Sequence, residues 1–538
     1  MFQQPKYNSL LPLIFAVVLI VGIFIGLKLN QSNTMNSLIA TEGVTGNNKI
    51  NEVLSYIQNE YVDTINKKQL TDNAIASLLE NLDPHSAYIP ASDLESTNES
   101  LQGNFEGIGI EFNILKDTII VVSALSGGPS EILGIRAGDR IVKVDGKIVA
   151  GVKITNEGVL KKLKGKGGTK VTVSILRRGS NKLIDFKITR DKIPLYSVDV
   201  AYMLSDKTGY IKINRFAATT YQEYMDAFNK LTVQGMQSLI IDLRNNGGGY
   251  LNTATAIADE FLSNNKMIVY TKGKARPKEE YKATSKGSFE QGKLCVLIDE
   301  GSASASEILS GCIQDNDRGT IVGRRSFGKG LVQEQTEFTD GSAIRLTIAR
   351  YYTATGRGIQ KPYKKGDLAD YYSEEVHRYE KGELQNADSV HFADTLKYRT
   401  PKGKIVYAGG GIMPDVFVPL DTMGRSQYLS NLIFNGIINE FALLYADKNR
   451  TTLYKYKDVN DFDKKFKVDE ALFNSLVVFA EGRKIKKDEK GISASKAIIE
   501  MEIKALIARN IWRNEGFYPI FNKMDKTLTK ALEVIEKQ

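Results

Sequence analysis

The chain has 538 residues, 42% of them hydrophobic and 25% charged, enough apolar material for roughly three or four separately packed domains. Its formal net charge of +9 is spread without a long basic block, which argues against a nucleic-acid binder and fits solubility with weak attraction to anionic surfaces. Cys295 and Cys312 sit in apolar surroundings without metal-ligand spacing. Buried free thiols are the expectation, and pairing in an oxidising compartment is the alternative.

Residues 10–27 hold no charged side chain, and Lys6 precedes them. At about 1.5 Å per residue the run just crosses a bilayer core. Leu27-Lys28-Leu29-Asn30 is a poor signal-peptidase site, so an uncleaved inner-membrane helix with the bulk of the chain exported is expected. A cleaved signal peptide and a soluble periplasmic product form the alternative. Residues 31–48 read as a flexible tether, which makes 1–48 an anchor and tether. An N-terminal helical region, 49–103, follows: Val53, Leu54, Ile57, Tyr61 and Val62 share one helical face, and 74–82 repeat the pattern. Pro84 ends it in a turn at Asp83.

Residues 104–190 form a β-rich module of short alternating segments, with strands at 170–176 and 183–188. Its stretches Gly107-Ile108-Gly109-Ile110 and Gly134-Ile135-Arg136-Ala137-Gly138-Asp139 resemble PDZ domains. That resemblance implies capture of a peptide's C-terminal carboxylate by backbone amides near Gly107, Ile108, Gly109 and Ile110, the ligand adding as a strand.

From residue 191 the pattern turns α/β, with strands at 209–213 and 238–243 and a helix at 221–231. Asp242-Leu243-Arg244-Asn245-Asn246-Gly247-Gly248-Gly249 follows a strand and precedes a helix, a setting in which backbone N–H groups turn outward toward an oxyanion or a phosphate. The apolar run 294–298 leads into Gly301-Ser302-Ala303-Ser304-Ala305-Ser306-Glu307, and Ile308, Leu309, Cys312 and Ile313 suit one helical face. A serine here is an ordinary N-cap or a nucleophile at the positive end of a helix dipole. Ser326-Phe327-Gly328-Lys329-Gly330 offers a lysine between glycines, and burial can make such an amine a base. Residues 360–404, polar and tyrosine-rich, are expected to be a surface insertion. Residues 406–419 return to the core, and 425–538 are mainly amphipathic helix.

Three chemistries compete for this core. A Ser-His-acid triad must recruit His85, His377 or His391, all outside it. The run 323–329 matches the first seven positions of a P-loop, but Gly330 stands where Ser or Thr should bind magnesium, and 331–336 look like strand. A serine with a lysine base needs no metal, and no metalloprotease motif is present.

The motif Ser302-Ala303-Ser304-Ala305-Ser306-Glu307-Ile308, with Lys329 25 positions after Ser304, resembles the C-terminal processing peptidases, or tail-specific proteases, of serine peptidase family S41. Gly409-Gly410-Gly411-Ile412-Met413-Pro414-Asp415, the triple-glycine loop and Leu82-Asp83-Pro84-His85-Ser86-Ala87-Tyr88 are similar to its other motifs, so the likeness runs over about residues 50–420. It implies a multidomain α/β enzyme with a PDZ domain before a ClpP/crotonase-like peptidase core at 191–424. By that pattern Ser304 is the nucleophile, Lys329 the base and Gln333 the residue holding the lysine, with an oxyanion hole at Ala305 and Gly249. Asp315 matches an acid of some members and is expected to be structural. The implied ligands are proteins or peptides with free C-terminal tails, with no cofactor, no metal and no nucleic acid. A homo-oligomer or an activating adaptor is compatible with it. The rival is a catalytically silent or latent PDZ adaptor that delivers tails to another envelope protease.

Overall fold

The computed structural model describes residues 49–537 except 126, 391 and 393–395, together with 16 and 18–22. The expected anchor at 10–27 lies largely outside the described residues, as does the tether. No helix among the described residues is long and apolar enough to cross a membrane. The chain divides into two units, 1–77 and 78–538. The first holds the Lys49–Glu60 helix, and all that follows concerns the second.

An antiparallel sheet runs in the order Ile110–Leu115, Thr118–Ala124, Arg140–Val144, Lys170–Leu176, Leu183–Thr189. Val171, Val173 and Ile175 alternate toward a core shared with Ile119, Ile141 and, from the Asn156–Leu163 helix, Val159 and Leu163. The Asn104–Gly107 strand lies outside this sheet. It pairs with Asp191–Pro194, so the module enters and leaves through one two-stranded ribbon.

The central sheet has six strands in the order Val198–Met203, Thr208–Ile213, Ser238–Asp242, Lys293–Ile298, Thr320–Gly323, Val416–Phe417. All neighbours are parallel except the first pair. Both faces are covered, as a parallel sheet requires. Ile211, Ile241, Val296 and Ile298 pack against the helices Thr220–Val233, Leu251–Asp259 and Ala305–Asp315. Tyr210, Ile240, Cys295 and Leu297 face Leu528, Ala531 and Ile535 of the last helix, Lys526–Lys537. The two cysteines thus pack in different clusters on opposite faces of the sheet, Cys312 with the first set. Both are free and buried, and burial pushes the Cys295 thiol up to about 12.

A second sheet joins Ala87–Ile89, Ala343–Thr353, Met267–Lys272 and Glu279–Lys282, with Leu331–Glu337 pairing Ala343–Thr353. Residues 427–521 build a separate helical core around Leu432, Phe441, Phe462, Leu476, Ile503 and Ile507. The insertion at 360–404 is not merely a surface loop. Its helix Leu368–Glu380 buries Tyr371 and Arg378, and Lys361 and Glu383 are buried beside them. Its polar composition hides this because the burial is of paired charges: Arg325 and Arg378 share Glu383, and Lys361 pairs with Glu374.

Candidate active site

Four loops at the carboxyl ends of the central strands build one site. Asn246 ties the first two together. Its backbone oxygen accepts from Ala303 N at 3.0 Å and Ser306 Oγ at 2.8 Å, while its side chain accepts from Gly248 N and donates to Ile213 O. Asp299, buried at the strand end, accepts from the amides of Asn245 and Gly301 and from Ser302 Oγ. Gly248, at φ +99°, leaves no room for a side chain: an added Cβ would stand 2.7 Å from Ala303 O, 2.8 Å from Ser304 Cβ and 3.0 Å from Ala305 N. The glycine loop therefore presses directly on the serine turn. The amides of Gly249 and Ala305 donate to no group among the described residues.

Ser304 caps the Ala305–Asp315 helix at φ +56°, a strained setting for a residue with a Cβ. What holds it there is Glu307, fully buried. This carboxylate accepts from Ser304 N at 2.8 Å, Ser326 Oγ at 2.5 Å, Gly328 N at 2.7 Å and Lys329 N at 2.9 Å. One side chain thus fixes both the serine backbone and the lysine backbone. Burial raises its acid to about 7 against the opposing pull of those hydrogen bonds. Tyr351 makes a second bridge, its hydroxyl 2.5 Å from Lys329 O and 3.1 Å from Ser304 O. Sequence reading missed both residues as site members. The one signal for Glu307 is its place three residues after Ser304, where a capping-box glutamate belongs.

The lysine loop is also clamped from the insertion. Arg378 donates to Arg325 O and Ser326 O, Lys361 N to Gly328 O, and Gln360 Oε1 accepts from Gly330 N. Lys361 itself lies 4.0 Å over the Phe327 ring. Lys329 forms no ion pair among the described residues. Burial, then the Arg345 guanidinium, lowers its amine to about 8, with Glu307 and Asp83 pulling the other way.

Ser304, Lys329, Gln333 and Gly247, Gly248 and Gly249 line one cleft of about 870 Å³, with Tyr351 and Arg345. Gln333 shares that cleft but makes no hydrogen bond to Lys329; its Nε2 is buried without a partner. His85 hydrogen-bonds Tyr371 Oη at 2.9 Å, and burial, with Lys329 nearby, lowers its imidazole to about 3. That holds it neutral and unfit as a base at pH 7. Asp315 lies outside the cleft, in a fully buried pair with Arg357 at 2.7 Å, and it also accepts from Thr353 and Thr355. His391 lies outside the described residues.

The predicted tail-binding stretch sits at the edge of the first sheet. Gly107, Ile108 and Gly109 are buried, and Gly109 is at φ +72°. Ile108 O accepts from Ser130 N and Oγ, while the amides of Ile108 and Gly109 donate to nothing among the described residues. Among the described residues the Ile110–Leu115 strand pairs on one side only.

A peptidase core carrying a PDZ domain is what these parts define. Residues 207–369 match peptidase family S41 and residues 107–188 match the PDZ domain. Residues 21–92 match the N-terminal domain of the activating protease CtpB, and 428–513 match a family of unknown function. The chain is 34% identical over 346 residues to the carboxy-terminal processing protease CtpA of Bacillus subtilis (strain 168), covering 63% of this chain and 73% of that one. It is 34% identical over 358 residues to the carboxy-terminal-processing protease of Bartonella bacilliformis, covering 64% and 80%. The chain belongs to the carboxy-terminal processing proteases and is a serine endopeptidase of family S41.

Proposed function

We propose that Ser304 attacks the scissile carbonyl, Lys329 serving as general base and Gln333 as the residue that positions it. Lys329 Nζ takes the Ser304 proton as Oγ adds to the carbonyl carbon. The amides of Gly249 and Ala305 hold the resulting oxyanion. Lys329 then gives the proton to the leaving amine, and water hydrolyses the acyl-enzyme through the same base. One observation carries this reading: Lys329, half-buried and without an ion pair among the described residues, shares one cleft with Ser304, which is held at φ +56°. The unpaired amides of Ile108 and Gly109 and the free edge of Ile110–Leu115 support capture of a substrate's C-terminal tail by the PDZ domain. The uncharged run 10–27 supports membrane anchoring with the bulk of the chain exported, which carbonate extraction of membranes would test.

The test compares wild type with Ser304→Ala on an unstructured reporter ending in an apolar tail, free or amidated. Cleavage by wild type alone, slowed by amidation, supports dyad and tail recognition together. Equal cleavage by the variant refutes Ser304 as the nucleophile. Tail binding without cleavage by either protein favours the adaptor reading.

A further inference from the structure

The Leu331–Glu337 strand bonds to Ala343–Thr353 along one edge, and its other edge is unpaired among the described residues. Side chains two apart on a strand share a face, and Gln333, Gln335 and Glu337 all line the catalytic cleft. The antiparallel register sets Arg345 directly opposite Gln335, and Arg345 lines the cleft too.

Arg345 differs from the other inward-facing arginines of the core. Arg244, Arg324, Arg325, Arg357 and Arg378 each hold a carboxylate. Arg318 holds the backbone carbonyls of Phe261, Phe289 and Gly292. Arg345, half-buried, has among the described residues a single neutral acceptor, Gln335 Oε1 at 2.9 Å from Nη2. Glu337 lines the same cleft without pairing with it. A guanidinium has five N–H donors in a fixed fork matched to a carboxylate. A polypeptide that fills the cleft excludes solvent from that fork, and an unpaired buried charge is strongly disfavoured. The free strand edge gives an extended chain a backbone ladder to join, which would carry alternate side chains past Arg345.

We infer that Arg345 is a subsite for an acidic side chain of the bound polypeptide near the scissile bond. This rests on the Ser304–Lys329 reading, because it takes their cleft as the substrate's path. Arg345 lines the same cleft as Ser304 and Lys329, which puts the subsite in the compartment of the reacting groups.

The test uses the full chain and quenched peptides that share one apolar tail. A single Asp is walked through an otherwise neutral segment, with Asn and Lys versions at each position, and every peptide is also made amidated. For a side-chain carboxylate, wild type prefers Asp to Asn at one position by about tenfold in kcat/KM. Arg345→Gln removes the preference, Arg345→Lys keeps part of it, and Arg345→Glu turns it toward Lys. Indifference to the position of Asp, with amidation slowing wild type more than Arg345→Gln, would overturn the inference and put the chain's own α-carboxylate there instead. These are ratios within one protein preparation, so partial misfolding of a variant does not alter them. Equal rates for Asp, Asn and Lys at every position in wild type, with an amidation effect unchanged by Arg345→Gln, overturn the inference. Cleavage by Ser304→Ala would overturn the dyad beneath it instead.

Discussion

The expected pH dependence of cleavage follows from Lys329 and Glu307. With Lys329 at about 8, about a tenth of it is deprotonated at pH 7, against about 0.03% of an unperturbed lysine. Burial therefore multiplies the available base roughly 300-fold at neutral pH. The value of kcat/KM for a tail peptide should climb about tenfold per pH unit below 8 and level off above about 9. Below pH 7 the slope should steepen. Glu307, held near 7, then gains a proton, yet all four of its partners are donors, three of them amides that cannot turn round. The assay is initial-rate cleavage of a quenched peptide from pH 5.5 to 10, with circular dichroism at each pH to exclude unfolding. Lys329→Arg, which stays charged throughout, should be inactive across the range. A rate that is flat between pH 7 and 9, or an active Lys329→Arg protein, would refute the lysine base.

Four further outcomes are expected. Gly248→Ala should lower kcat at least a hundredfold, because its Cβ cannot avoid Ala303 O and Ser304 Cβ at 2.7 and 2.8 Å; burst and steady-state kinetics measure it. Tyr351→Phe removes the bridge between the carbonyls of Ser304 and Lys329. It should cost about 1 kcal/mol in urea unfolding while lowering kcat more than KM rises. Asp315→Asn leaves Arg357 buried without its counter-charge; a loss of about 3–5 kcal/mol should appear as a lower Tm, with activity surviving in whatever fraction stays folded. Lys329 releases its proton near 8 when folded and near 10.5 when unfolded, so the unfolded chain binds more protons between those values. Stability from this group therefore rises with pH across that window, and the rise should vanish in Lys329→Met when the two proteins are unfolded in urea at pH 8 and 10.

Much of this molecule is local, and its sequence alone determines it. The runs 239–241 and 294–298 are apolar throughout because a parallel strand is covered on both faces. Gly248 and Gly249 stand at positive φ, which glycine adopts without strain. Ser304 heads a helix whose every residue is buried, and Lys329 lies between two glycines. Such features depend on a residue and its close neighbours, so the motifs and their order could be read directly. The tertiary structure alone decided which polar groups go inside. Glu307 reads as a capping residue until the loop at 326–329 folds onto it, and Arg345 reads as one of many strand arginines until the register places it opposite Gln335. The insertion looks like surface because Lys361, Arg378 and Glu383 are charged, yet each is buried against a partner or the lysine loop. The burial of a charge is set by the counter-charge it meets, and here Arg325 finds Glu383 58 residues away. No helical or strand periodicity records a pairing over that distance.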